Sequence, residues 1–299
     1  MVSPPRQPAP EAGSRLPPVG PRPALRTRAG TLALDRTVVV GVLNATPDSF
    51  SDGGLHSDPG RAAAAAAEMV AEGAGMLDLG AESTRPGATP VPMDEELRRL
   101  LPVLRAVRAA VRVPLSVDTT KAAVAEAAIA EGADVVNDVS AGRRDEAMFA
   151  SCAAAGVPIV LMHMQGAPAT MQAEPRYEDV VAEVTSFLAE RAAAARAAGI
   201  APEGIVLDPG IGFGKTVDQN CRLIRRLDAL VALGYPVLVG VSRKSFLGRL
   251  LGGRDVGGRL FGTAAAVALA VAGGAKLVRV HDVAAIHDVV VVSEAVLGA

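Results

Sequence analysis

From Thr37 onward, short apolar runs alternate with longer stretches of helical texture. The runs are Val38–Leu43, Met76–Leu79, Leu115–Val117, Val135–Val139, Pro158–Met162, Ile205–Leu207, Val237–Val241 and Leu277–Val280. Each is short and mostly rich in Val, Ile and Leu, as a strand buried on both faces should be. Helices are expected between them, among others over Pro59–Glu72, Met93–Ala110, Lys121–Glu131, Tyr177–Ala198 and Gly257–Ala272. Gly73, Gly132, Gly156, Gly199, Gly234 and Gly274 stand where such helices should stop before the next strand. Strand-then-helix units repeated in this way predict an α/β chain folded as a (β/α)8 TIM barrel, a fold of about 250 residues. The alternative, an open doubly wound sheet, normally has fewer strands and a nucleotide-binding glycine turn after the first. Residues 1–30 are rich in Pro, Arg and Ala, with no apolar period and no hydrophobic signal segment. They are expected to form a disordered tail, leaving 31–299 as a single barrel domain.

The ends of the runs carry the functional signal. The first ends in Asn44, and the second runs into Glu82, Ser83, Thr84 and Arg85. The third ends at Asp118, the fourth at Asn137 and Asp138, the fifth at His163 and the sixth at Asp208. The last two end at Ser242-Arg243-Lys244 and at Arg279 with His281. In a barrel these ends converge on one face, where barrel enzymes carry out their chemistry. Taken singly, each residue has a plainer use. Asp118 and His281-Asp282 suit helix caps, Asp208-Pro209-Gly210 suits a turn, Asn137 and Asp138 suit loop backbone, and Lys244 suits a solvated surface. A polar residue at the same end of strand after strand is harder to explain in that way. The run Gly210–Thr216 resembles a phosphate loop, but Pro209 stands where that pattern needs a glycine. A strand-to-helix loop that lets backbone approach a ligand is the stronger reading.

Composition narrows the class. A net charge of −2 with only 3% aromatic residues offers neither the basic surface nor the stacking platforms of a nucleic-acid binder. Two cysteines, Cys152 and Cys221, suggest neither a disulfide framework nor a metal cluster. No apolar run approaches the roughly 20 residues that span a bilayer, so no membrane partner is expected and the cytosol is the expected compartment.

Eight segments together resemble the dihydropteroate synthase family. They are GVLNATPDSFSDGG at 41–54, LDLGAESTRPGA at 77–88, SVDTTKAAVAEAA at 116–128, VVNDVSAG at 135–142, LMHMQG at 161–166, LDPGIGFGK at 207–215, GVSRKSFLG at 240–248 and LVRVHD at 277–282. They follow the family's order from about residue 37 to the C-terminus. Departures are small: Thr120 where an aromatic is common, and Gly258 before Arg259 where an acidic residue is common.

The resemblance implies that the amine of p-aminobenzoate attacks the methylene of 6-hydroxymethyl-7,8-dihydropterin pyrophosphate, with Mg²⁺ assisting the departure of pyrophosphate. It implies pterin contacts at Asp118, Asn137, Met162, Asp208, Phe213, Gly240, Lys244 and Arg279. Pyrophosphate would meet Asn44, Thr84, Arg85, Arg279 and His281, with Asn44 ligating the metal. Phe50, Thr84, Pro86, Lys244 and Ser245 would hold p-aminobenzoate, and Arg85, Lys244 and Asn44 would carry the catalytic step. It further implies competitive inhibition by sulfonamides and a homodimer built on outer helices late in the chain. Three rivals share parts of the pattern. A folate-binding methyltransferase barrel would not need the Ser-Thr-Arg-Pro loop. A non-catalytic relative should have lost Asn44, Arg85 or Lys244. A Schiff-base aldolase would want Lys244 desolvated with a depressed pKa, but Arg243 alongside and the rest of the matched motifs fit the synthase better.

Overall fold

The computed structural model describes residues 24–27, 30–45, 58–83, 88–166, 171–172 and 174–298. Two short antiparallel strands come first, β1 (Ala24–Thr27) and β2 (Gly30–Ala33). Eight parallel strands follow. They are β3 (Val38–Asn44), β4 (Met76–Gly80), β5 (Leu115–Asp118), β6 (Val135–Asp138), β7 (Ile159–Met162), β8 (Ile205–Asp208), β9 (Leu238–Val239) and β10 (Leu277–Val280). Their hydrogen-bonded order runs from β8 back through β3 to β10 and β9. A parallel bridge between Leu207 and Val237, with Leu207 N–H donating to the Pro236 carbonyl at 2.9 Å, joins the two ends of that row. The expected TIM barrel is therefore the observed fold. The seventh strand is shorter than Val237–Val241 because Pro236 can accept but not donate and Gly240 follows directly.

Helices lie between the strands: α1 (Pro59–Ala71), α2 (Met93–Ala110), α3 (Ala122–Ala130), α4 (Met148–Ala155), α5 (Val180–Ala197), α6 (Val217–Arg225), α7 (Asp228–Val231), α8 (Ser245–Leu250), α9 (Leu260–Ala272) and α10 (Val283–Leu297). Local chemistry sets several starts. Asp58 caps α1, whose first residue is Pro59; Asp179 caps α5; Thr216 and Gln219 form a capping box on α6. The six glycines expected to stop helices all have positive φ, from +64° at Gly156 to +106° at Gly73.

Two apolar cores separate by strand parity. Val39, Leu77, Leu79, Val117, Val136, Ile159, Leu207 and Val278 pack outward against the helices. Val40, Met76, Val135, Val160, Val206, Leu238 and Leu277, near the strands' N-terminal ends, form an inner floor. Leu25 and Leu34 belong to that floor and are fully buried. This corrects one expectation: residues 24–27, placed with the tail by composition, form a strand whose Leu25 stops the bottom of the barrel. The hairpin closes with Thr27 Oγ1 donating to the Gly30 carbonyl at 2.8 Å, and with Gly30 at φ +127°. Short apolar alternation in ALRT and TLAL was outweighed by the Pro- and Arg-rich composition around it.

Truncating a fully buried leucine removes transfer energy and leaves a cavity. Leu25→Ala should lower unfolding free energy by roughly 2–5 kcal/mol in urea denaturation. An unchanged midpoint would show that the hairpin only rests on the barrel.

Candidate active site

The site follows from the floor by counting. Two residues beyond each floor residue, the strands again face inward. From Met76, Val135, Val160, Val206, Leu238 and Leu277 this step reaches Asp78, Asn137, Met162, Asp208, Gly240 and Arg279. On β5, Ser116 and Asp118 occupy the same face, with Asp78 beside Ser116 and Asp118 beside Asn137 in register. A polar layer therefore sits on an apolar floor.

Arg279 holds this layer together. Its Nε donates to Asp78 Oδ2 at 2.6 Å and its Nη2 reaches Asp118 Oδ2 at 3.4 Å. Asn137 Nδ2 donates to the same Asp78 oxygen at 3.3 Å. Asp78 and Asp118 are almost completely buried, and each retains one oxygen without a hydrogen-bond partner. Asp78 escaped the sequence reading. Its signal was a single ionisable residue inside the apolar run Met76–Leu79, where a doubly buried strand should have none.

Burial, reinforced by the neighbouring Asp78 charge, raises the Asp118 carboxyl to about 8, which favours its protonated form. Burial likewise raises Asp208, against the pull of Lys244, Lys215 and Arg279. Asp208 Oδ1 accepts the Gly210 N–H at 2.7 Å. Asp208 therefore closes the turn and also lies in the polar layer. Burial lowers the Lys244 ammonium to about 8, with Asp208 opposing the shift. Lys244 Nζ donates to the Ile211 carbonyl and sits 4.6 Å above the Phe213 ring. Burial also works against the Arg279 charge, but Asp78 and Asp118 outweigh it and keep the guanidinium firmly protonated.

Met162 packs with Val139, Met164 and Met171, and Phe213 lies against that group, an apolar cluster beside the polar layer. A Cβ added at Gly240 would stand 3.7 Å from Lys244 Nζ and 3.8 Å from the Arg279 Cβ, so the glycine leaves room beside both cations. Asn44, half-buried, ends β3 beside Gly80. His281 follows β10, its Nδ1 3.0 Å from Ser242 Oγ. Ser245 opens α8 and is exposed. Phe50, Thr84, Arg85 and Pro86 lie outside the described residues. Just before that gap, Glu82 accepts from Val91 N–H at 3.2 Å and meets Lys121, which also pairs with the buried Glu96. This clamp draws the two sides of the loop after β4 together.

Some strand-end residues serve structure. Asp138 accepts from Ser140 N–H, Ser140 Oγ and Gly142 N–H. Arg243 forms a two-point pair with Asp282, at 3.0 and 2.6 Å. His163 faces Lys215. Among the described residues no group of three or more His, Cys, Asp or Glu could hold a metal ion.

A barrel mouth with buried carboxylates, an amide and two cations suits a flat, nitrogen-rich ring, and the comparisons agree. Residues 40–281 match the family model described as pterin binding enzyme. The dihydropteroate synthase of Synechocystis is 47% identical over 260 residues, covering 87% of this chain and 90% of that protein. The chain belongs to the dihydropteroate synthase family. Among solved structures, the Xanthomonas albilineans dihydropteroate synthase with 4-aminobenzoic acid superposes with a TM-score of 0.85 at 47% identity, covering 93% of this chain and 99% of that one. The Yersinia pestis dihydropteroate synthase with a sulfonamide drug gives 0.89 at 41% identity, covering 92% and 100%. The chain is accordingly a transferase of folate synthesis. No described helix is long and apolar enough to cross a membrane.

The shifted carboxyl has a consequence for stability. A folded pKa above the unfolded one means that the native state holds the proton more tightly. The contribution of Asp118 is full below its ordinary value near 4 and is lost as pH rises toward about 8. Asp118→Asn, which cannot ionise, should flatten the fall in stability between about pH 5 and pH 8 in urea titrations. Identical slopes for the variant and the parent protein would show that the carboxyl titrates normally.

Proposed function

We propose that the polar layer binds the pterin ring and that its upper rim carries out the transfer to p-aminobenzoate. The observation that carries the reading is the set of buried acceptors, Asp208, Asp118 and Asn137, facing Lys244 and Arg279 above an apolar floor. A pterin presents an amino group and a ring N–H side by side. Asp208 accepts both, while Asn137 and Asp118 read the remaining edges and Met162 and Phe213 enclose the faces. Lys244 lies between the two substrates and serves the ring, and Arg279 lies against it. A wrong ring would strand these buried groups unpaired, which is the source of specificity.

The aniline nitrogen of p-aminobenzoate forms a bond to the pterin methylene as the bond from that carbon to pyrophosphate oxygen breaks. The aniline proton is then released, and no protein base is required. Positive charge develops on the methylene and negative charge on the leaving group, so the task is electrostatic. Arg85, Arg279, Thr84 and His281 take the phosphates; Phe50, Thr84, Pro86 and Ser245, with Lys244, form the p-aminobenzoate pocket. Sulfonamides present an aniline and an acidic sulfonyl group to the same pocket.

Magnesium fits as an ion that arrives with the pyrophosphate. The described residues build no carboxylate cage, and Asn44 offers one hard amide oxygen at the end of β3, with phosphate oxygens and water left to complete the shell. Bound there, the ion would neutralise charge on the leaving group. The two cysteines are free, which suits the reducing cytosol proposed for the enzyme.

A second copy of the chain completes the assembly. Phe261 and Leu269 on α9, and Val291, Val292, Val296 and Leu297 on α10, are exposed. Apolar patches of this kind are rare on monomers, and a two-fold axis pairs one with its own copy.

Purified protein should release pyrophosphate from the dihydropterin pyrophosphate in step with consumption of p-aminobenzoate. EDTA should stop turnover and added Mg²⁺ should restore it; full activity after metal removal would take the ion and Asn44 out of this reading.

Two variants separate ring recognition from leaving-group chemistry. Asp208→Asn places a donor against donors and should weaken binding of a simple pterin by about 2–4 kcal/mol. Arg85→Ala should slow turnover roughly 10²–10³-fold, leaving that affinity intact. Equal losses of pterin affinity in calorimetry would merge the two roles.

A further inference from the structure

The glycine-rich run after β8 ends in a lysine that none of these steps uses. Lys215 is only 3% exposed, yet no carboxylate among the described residues pairs with it. Its Nζ donates to the carbonyls of Gly210 at 2.9 Å and Phe213 at 3.0 Å, and reaches that of His163 at 3.4 Å. It also lies 3.0 Å from His163 Nδ1. Burial, then the Lys215 and Arg143 charges, holds the His163 ring down to about 3, so the imidazole is neutral and serves as an acceptor. Burial lowers Lys215 itself to about 7, with Asp208 pulling it back up and Lys244 adding to the fall.

Carbonyl oxygens rarely converge on a side chain in this way without a reason in the loop they belong to. From Gly210 to Gly214, every carbonyl is taken by a side chain. Lys215 takes those of Gly210 and Phe213, Lys244 that of Ile211, Gln172 that of Gly212 and Tyr177 that of Gly214. A Cβ at Gly210, at φ +65°, would lie 1.9 Å from the His163 carbonyl oxygen, so the loop crosses the end of β7 in backbone contact. A phosphate loop turns its amides and its lysine toward an anion. Here the lysine reaches inward and the carbonyls surround it.

We propose that Lys215 is a positioning residue for pterin binding: a buried amine whose donors fix the 209–215 loop, and through it the Phe213 wall and the Ile211 seat of Lys244, without touching ligand. The inference rests on placing the pterin against Asp208. Lys215→Met keeps the side chain's bulk and removes its donors. The Kd of 6-hydroxymethylpterin and the KM of its pyrophosphate substrate should rise roughly 10- to 100-fold. Loss of uniform binding should leave kcat within about 3-fold and KM for p-aminobenzoate unchanged at saturating pterin substrate. A lowered melting temperature with both pterin constants at parental values would make the residue a prop for the fold alone and overturn the proposal. Asp208→Asn runs beside it. Unaltered pterin affinity in both variants faults the placement of the pterin, whereas unaltered affinity in Lys215→Met alone faults this inference.

If Lys215→Met does not fold, the parent protein supplies the test. The chain has four lysines, Lys121, Lys215, Lys244 and Lys276. Signals of ¹³Cε-lysine can therefore be assigned by substituting the other three in turn. Saturating 6-hydroxymethylpterin should shift Lys215 together with Lys244 and leave Lys276 in place; a Lys215 signal unmoved by ligand would overturn the proposal.

Discussion

A guanidinium inside a barrel must be paired, because an uncompensated buried charge costs several kcal/mol. Arg279 meets that condition through Asp78 at 2.6 Å, and the rest of the polar layer is arranged around this contact. Strand order makes it possible: β10 pairs with β3 and β3 with β4, so the carboxylate on β4 stands one strand beyond the neighbour of Arg279. Asp78 then has an oxygen to share with Asn137, and Asp118 is left at the edge of the same guanidinium. The layer contains the carboxylates of Asp78, Asp118 and Asp208 and the cations Arg279 and Lys244. Burial and the neighbouring Asp78 charge both favour the protonated form of Asp118, which eases the excess of carboxylates over cations in the layer.

Most of this architecture was legible because strand parity and strand ends leave marks in sequence. Val38–Leu43 and Leu277–Val280 needed no context to read as buried strands, and the convergence of Asn44, Asp118, Asn137, Asp208 and Arg279 follows from the barrel alone. What resisted was side-chain direction. Asn137 and Asp138 are neighbours of equal polarity, but one faces the cavity and the other closes a turn through Ser140 and Gly142. Ser242, Arg243 and Lys244 read as one cluster, but Arg243 turns away to Asp282 at φ +58° while Lys244 turns in to Ile211. Asp78 was hidden because an apolar run is recognised by its majority.

Lysine appears twice around the 209–215 loop in opposite senses. Lys244 holds the Ile211 carbonyl from the ligand side and Lys215 holds the Gly210 and Phe213 carbonyls from behind. A loop with three left-handed glycines at 210, 212 and 214 has little stiffness of its own. Its order comes from the side chains that hold its carbonyls, Lys215 at its own end and Lys244, Gln172 and Tyr177 from outside.

Leu25 and Leu34 also govern traffic. The hairpin packs on the floor residues and, among the described residues, covers the N-terminal ends of the strands. A ligand bound at Asp208 and Asn137 would then enter from the C-terminal rim, past Lys244. Under the proposed reading, depth then sets the order of arrival: the ring that fills the polar layer would have to precede any molecule lodged at the rim above it, and the joined product would leave as one piece.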